Sequence, residues 1–135
     1  MLPKKYRNIK RNLIVKRSIA GLGLFTKDEI ERGGFVIEYK GPILSEKEAN
    51  EKGGKYLFET SKNRFVDGKS RSNTARYINH SYRPNCEIEI LRGRIYVFTK
   101  RKIKPEEELF YDYDKEYFNE FIKPLGCKCL KCNTK

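Results

Sequence analysis

No stretch of this sequence approaches the roughly 20 consecutive apolar residues that a membrane-crossing helix requires. The opening residues, MLPKKYRNIKRN, also lack the apolar centre of a secretion signal. These absences predict a soluble, intracellular chain of cytoplasm or nucleus with no membrane partner, and delivery into another cell stays open. At 135 residues there is no room for a second catalytic domain, so function should sit in one site on one modest core. Internal repeats and low-complexity linkers are missing too. Acids are absent from both ends: residues 1–18 hold Lys4, Lys5, Arg7, Lys10, Arg11, Lys16 and Arg17, and residues 123–135 hold Lys123, Lys128, Lys131 and Lys135. Most of the net charge of +12 therefore belongs to the termini. That distribution suits a near-neutral globule with basic arms, which either contact nucleic acid or another anionic surface or serve only as solubilising tails.

What is present is a rhythm of Gly and Pro every eight to fifteen residues, which favours short strands joined by turns. Strands are predicted at 13–16, 35–39, 64–67, 87–91 and 95–99. The last two alternate around Arg92-Gly93 and read as a hairpin with one face buried. Ser45 and Glu48 have capping-box spacing and predict a helix to about Glu51, stopped by Gly53-Gly54. Asp114 can cap a second helix with Tyr117, Phe118, Phe121 and Ile122 as its apolar stripe, ended by Pro124. The expected class is mainly β with short helices.

Three segments carry chemistry. Gly21-Leu22-Gly23, placed between two predicted strands, lets backbone bend closely round a ligand, but a third glycine is missing, so it is no dinucleotide fingerprint, and alone it reads as a hairpin turn. Arg76-Tyr77-Ile78-Asn79-His80-Ser81, followed by Pro84-Asn85-Cys86, gathers compact hydrogen-bonding groups around the chain's only histidine. On its own that histidine is either a satisfied structural residue or a general base or ligand, and the sequence supplies no clear partner for the second role. Glu107-Glu108-Leu109-Phe110-Tyr111-Asp112-Tyr113 reads by composition as a solvated turn, although alternation puts Tyr111 and Tyr113 on one face.

In this order, and together with Glu38-Tyr39-Lys40-Gly41, Tyr56-Leu57-Phe58, Asp67 and a terminal cysteine cluster, these segments resemble the SET-domain protein-lysine N-methyltransferases from about residue 12 to 132. The resemblance implies small curved antiparallel sheets with a C-terminal pseudoknot, residues 76–85 and 107–113 being the passing segments. It divides the chain into a basic arm (1–12), a SET domain (13–122) and a post-SET cysteine tail (123–135). It implies S-adenosylmethionine as methyl donor, held by Gly21, Leu22, Gly23, Tyr56, Arg76, Asn79, His80 and Tyr113. A lysine of a histone-like or other basic protein would enter from the opposite side. Tyr113, Tyr111 and Tyr56 would be the catalytic residues, with Tyr111 inclining the product toward mono- or dimethyl-lysine.

Cys127, Cys129 and Cys132 crowd into six residues, too tight for an ordinary disulfide framework and better suited to a metal in a reducing compartment. In many relatives a fourth cysteine directly follows Asn-His-Ser and completes a structural zinc site. Here that position is Tyr82, leaving Cys86 as the candidate fourth thiolate, and a tail ordered by packing with free thiols is the equal alternative. Two other functions compete: a catalytically weak SET-fold module docking to chromatin or nucleic acid through basic ends, and a zinc-dependent nucleic-acid binder, which leaves the Asn-His-Ser and Tyr-Asp-Tyr blocks unexplained.

Overall fold

The computed structural model describes residues 10–19 and 21–113. Their elements run β1 (Leu13–Ser18), β2 (Gly21–Thr26), β3 (Phe35–Tyr39), β4 (Ile43–Leu44), α1 (Glu46–Lys52), β5 (Leu57–Ser61), β6 (Arg64–Asp67), a 3-10 turn at Thr74–Tyr77, β7 (Asn79–His80), β8 (Cys86–Leu91), β9 (Arg94–Thr99) and β10 (Phe110–Tyr111). They form three small antiparallel sheets, β1-β2, β3-β9-β8 and β4-β6-β5, and one short parallel pair, β10-β7.

The locally encoded elements form where the sequence places them. Ser45 accepts from the Glu48 amide while the Glu48 carboxylate accepts from the Ser45 amide, so α1 starts on a complete capping box, and Gly53 ends it. The predicted strands at 35–39 and 64–67 match β3 and β6.

Three expectations are corrected or lie out of reach. Gly21–Thr26 is no bend between strands but β2 itself, with Leu13 opposite Thr26 and Ser18 opposite Gly21. Two glycines weaken its intrinsic strand preference, yet the six-residue ladder and the complete burial of Leu24 and Thr26 on one face outweigh that loss. The 86–99 hairpin buries more than one face, because β9 is the central strand of its sheet. Ile95 and Val97 enter the main core, whereas Tyr96 and Phe98 pack against Phe35 on the other side. The helix predicted after Asp114 lies outside the described residues.

The main core joins Leu24 of β2, Val36 and Tyr39 of β3, Phe58 and Val66 of the third sheet, Ile95 and Val97 of β9, and Ile78, Leu109 and Tyr111. The last three flank the candidate site, so the packing that stabilises the domain also fixes its functional side chains.

Candidate active site

Residues 106–111 thread between two partners. On one side the Thr26 amide donates to the Glu107 carbonyl (3.1 Å) and the Leu109 amide to the Leu24 carbonyl (2.8 Å). On the other, β10 runs parallel to β7 with Phe110 opposite Asn79 and Tyr111 opposite His80. Two residues of parallel ladder are weak by themselves. The buried Asn85 reinforces them: its Nδ2 donates to the Glu108 carbonyl (2.8 Å) and its Oδ1 accepts from the Phe110 amide (2.9 Å), as a neighbouring strand would. Segments 76–85 and 107–113 thus lie side by side, where a pseudoknot crossing requires them.

The crossing brings Tyr111, Tyr113 and His80 together. The Tyr111 and Tyr113 ring centroids are 5.0 Å apart and those of His80 and Tyr113 5.2 Å. His80 Nδ1 accepts from the Tyr113 amide at 2.9 Å, which places the proton of a neutral imidazole on Nε2. Asp112 Oδ1 lies 3.8 Å from that same Nδ1, but a nitrogen already accepting an amide hydrogen forms no ion pair there, so the shorter contact decides the tautomer. The Tyr113 hydroxyl donates to the Ile78 carbonyl, so toward any other group its oxygen acts as an acceptor.

At the other end of β7, Asn79 Nδ2 donates to the Leu22 carbonyl (2.9 Å) and to Glu108 Oε2 (3.0 Å). The sequence-predicted residues Leu22 and Asn79 are therefore in direct contact, with Gly21 and Gly23 flanking on β2. Leu22 is 51% exposed and Tyr82 41% exposed, and Gly21 presents open space where a Cβ would stand. An amide side chain, an open glycine backbone and an uncovered leucine therefore meet at one edge of the site.

Tyr56 belongs to a second group centred on a residue to which the sequence assigns no role. Tyr39 is buried and its hydroxyl donates to the Tyr56 carbonyl (2.7 Å). Burial holds that phenol neutral far above its ordinary range, and repulsion from Tyr113, Tyr56 and Asp67 adds to the rise, while Arg76 opposes it. The three tyrosines and Arg76 therefore share one electrostatic neighbourhood. Arg76 stacks its guanidinium 4.5 Å from the Tyr56 ring centroid and 5.1 Å from that of Tyr77, and donates to the Lys69 carbonyl. Tyr39 is visible in the sequence only as part of Glu38-Tyr39-Lys40-Gly41. Glu108 is visible only as one acid of a pair, and neither carries a local signal of its contacts.

Among the described residues no group of three or more His, Cys, Asp or Glu side chains is placed to hold a metal. Cys86 is 1% exposed within the main core. Burial pushes its thiol up to about 12, against weaker pulls from the Phe110 amide and Arg101. Cys127, Cys129 and Cys132, with which Cys86 would share a metal, lie outside the described residues. Because the native pKa is raised, its contribution to stability is present below the ordinary thiol value and is lost as pH climbs from about 9 toward 12. Denaturant midpoints should fall over that window, less steeply in Cys86→Ala. Site-resolved alkylation at pH 8 should spare Cys86 until the protein unfolds; rapid native labelling would contradict this burial.

The model of the SET domain family matches residues 21–114. This chain belongs to the SET-domain family. It is 34% identical to histone-lysine N-methyltransferase ASHH3 of Arabidopsis thaliana, over 94% of this chain and 38% of that protein. It is 38% identical to histone-lysine N-methyltransferase trr of Drosophila melanogaster, over 97% of this chain and 6% of that one. In structure it is similar to a chain of Chaetomium thermophilum Polycomb Repressive Complex 2 in an autoinhibited conformation bound to S-adenosylmethionine, with TM-score 0.72 and 30% identity over 87% of this chain and 17% of that one. The SET chain thus spans well under half the length of each of these relatives.

Proposed function

We propose that this SET domain is a protein-lysine N-methyltransferase that uses S-adenosylmethionine as donor and a lysine of a histone-like or other basic protein as acceptor. The observation that carries the reading is the parallel β7-β10 pairing, which joins the Asn-His and Tyr-x-Tyr blocks from opposite ends of a thirty-residue span into one site. Names of related proteins and the donor bound in the similar structure support it.

When bound, the donor supplies a sulfonium-activated methyl group, the electrophile of the reaction. The residues of the chain then have to align partners and supply an amine with its lone pair available. Leu22 and Asn79 would hold the amino-acid arm between Gly21 and Gly23, with His80 toward the adenine. Free lysine has a pKa of about 10.4, so only about one in two thousand is neutral at pH 7. Entry among Tyr39, Tyr56, Tyr111 and Tyr113 removes water from the ammonium form and disfavours it. Arg76, stacked on Tyr56, adds a like charge that acts in the same direction and fixes the ring. Tyr113, its proton directed to Ile78, offers an oxygen lone pair to positive charge near the transferring methyl and does not serve as a base.

Tyr111 limits the space beside the amine, since a phenolic oxygen can hold a water where a further methyl group would go. Tyr111→Phe is expected to shift the products toward higher methylation without reducing the first transfer more than a few-fold. Intact-mass analysis of a peptide product reads this directly, and an unchanged product distribution would remove Tyr111 from that role. The tail offers three cysteines at a spacing zinc accepts, and Cys86 would be the candidate fourth ligand of a tetrahedron.

The test of the whole reading is incubation with isotope-labelled donor and a panel of basic proteins, followed by mass spectrometry of the modified residue. Label on lysine side chains supports it. A protein that leaves every substrate unlabelled yet binds DNA with strong salt dependence, and loses that binding without residues 1–12, would instead favour a docking module built on the basic ends.

A further inference from the structure

Glu108 reads from sequence as one of two solvated acids, and the methyl-transfer chemistry does not call on it. Its side chain nevertheless reaches across the fold. Ser18, at the end of β1, donates its hydroxyl to both carboxylate oxygens (2.7 and 2.9 Å), and Asn79 Nδ2 donates to Oε2 (3.0 Å). The carboxylate lies on Gly23: a Cβ there would stand 2.3 Å from Glu108 Oε2. The second glycine of Gly21-Leu22-Gly23 therefore makes room for an acid of this chain, where the family resemblance implies contact with the donor. An Asp or Gln at 108 would not reproduce both the reach and the charge.

We propose that Glu108, supported by Ser18, is a positioning residue that sets the orientation of the Asn79 amide and thereby its recognition of the donor's amino-acid arm. The inference rests on the donor-binding reading above. Asn79 can present either its NH2 or its oxygen to a ligand, and the two are interchangeable by a flip. The Leu22 carbonyl and an ionised Glu108 are both acceptors only, so both require Nδ2. The NH2 is thereby committed inward, and Oδ1, on the other branch of the amide, points away from them as an acceptor. An acceptor backed by an anion selects an ammonium group and disfavours a carboxylate at the same spot. Glu108→Gln weakens this compulsion: its own NH2 can donate to Asn79 Oδ1, so only the Leu22 carbonyl still holds Nδ2 inward, and the negative charge is lost.

The test compares two ligands by calorimetry on the full chain: S-adenosylhomocysteine, which carries the α-amino group, and 5′-methylthioadenosine, which lacks the entire amino-acid arm. Glu108→Gln is expected to weaken the first at least tenfold while changing the second less than twofold. Donor KM should rise by a similar factor, with kcat at saturating donor nearly unchanged. Ser18→Ala, which leaves the charge but loosens its support, should shift the same ligand in the same direction by a smaller factor, and it decides the matter if Glu108→Gln melts at assay temperature. Equal losses for both ligands, or a fall in kcat alone, would reduce Glu108 to a structural role. No loss in either variant would overturn the proposal while leaving the methyltransferase reading intact. A wild-type chain that binds neither ligand would remove both.

Discussion

Tyr113→Phe is expected to lower methyl transfer at saturating substrates at least tenfold, equivalent to about 1.4 kcal/mol in barrier. The change removes one oxygen from a ring that stays packed between Tyr111 and His80. Little else should move, because the Tyr113 amide, not its side chain, holds His80 Nδ1. The missing oxygen ends the hydroxyl's bond to the Ile78 carbonyl and withdraws an acceptor from the region where positive charge passes from sulfur to nitrogen. Donor affinity should change much less than turnover, since Asn79, Leu22 and Gly21 remain. Steady-state kinetics with thermal melting of both proteins makes the comparison. A variant with unaltered kcat would take Tyr113 out of the catalytic set, and a variant that fails to fold would show that its hydroxyl is mainly structural.

A large stability loss is expected for Gly68→Ala. A Cβ at Gly68 would stand 2.3 Å from Tyr39 ring carbons and 2.4 Å from its hydroxyl oxygen. Tyr39 has little freedom to retreat: it is 1% exposed, packs on Phe58 with ring centroids 5.6 Å apart, and is anchored to the Tyr56 carbonyl. Overpacking of this kind typically costs about 1–3 kcal/mol. Breaking a buried hydroxyl's hydrogen bond adds about 1–3 kcal/mol more. A total of about 2–6 kcal/mol should therefore appear as a lower denaturant midpoint at unchanged slope. Activity at a temperature where the variant is folded should also fall, because displacement of Tyr39 releases Tyr56. A Gly68→Ala protein as stable as wild type would mean the Tyr39 contact is softer than the structure implies.

The parts of this fold that sequence could reveal are those coded within a few residues. The Ser45–Glu48 capping box specifies α1 by itself, and alternation around Arg92-Gly93 specifies the β8-β9 hairpin. β2 escapes detection because its glycines argue against a strand, and only pairing with Leu13–Ser18 makes it one. β7 and β10 are two residues long and exist through each other and through Asn85, so no local pattern announces them. The site divides the same way. Asn79, His80, Tyr111 and Tyr113 are legible as blocks, persuasive in combination, and the fold joins them. Tyr39 and Glu108 are silent because their roles arise from distant partners, Tyr56 in one case and Ser18, ninety residues away, in the other.

The central claim is that one site aligns a methyl donor with a lysine amine at the Tyr111–Tyr113 pair. Its most direct test is a single-turnover experiment in which the chain is loaded with methyl-labelled S-adenosylmethionine and mixed with a histone-tail peptide in the absence of free label. The label should appear on a lysine Nζ of the peptide in the wild type and at a rate at least tenfold lower in Tyr113→Phe. Failure of the wild type to retain the donor, or label that stays off lysine altogether, would contradict the account.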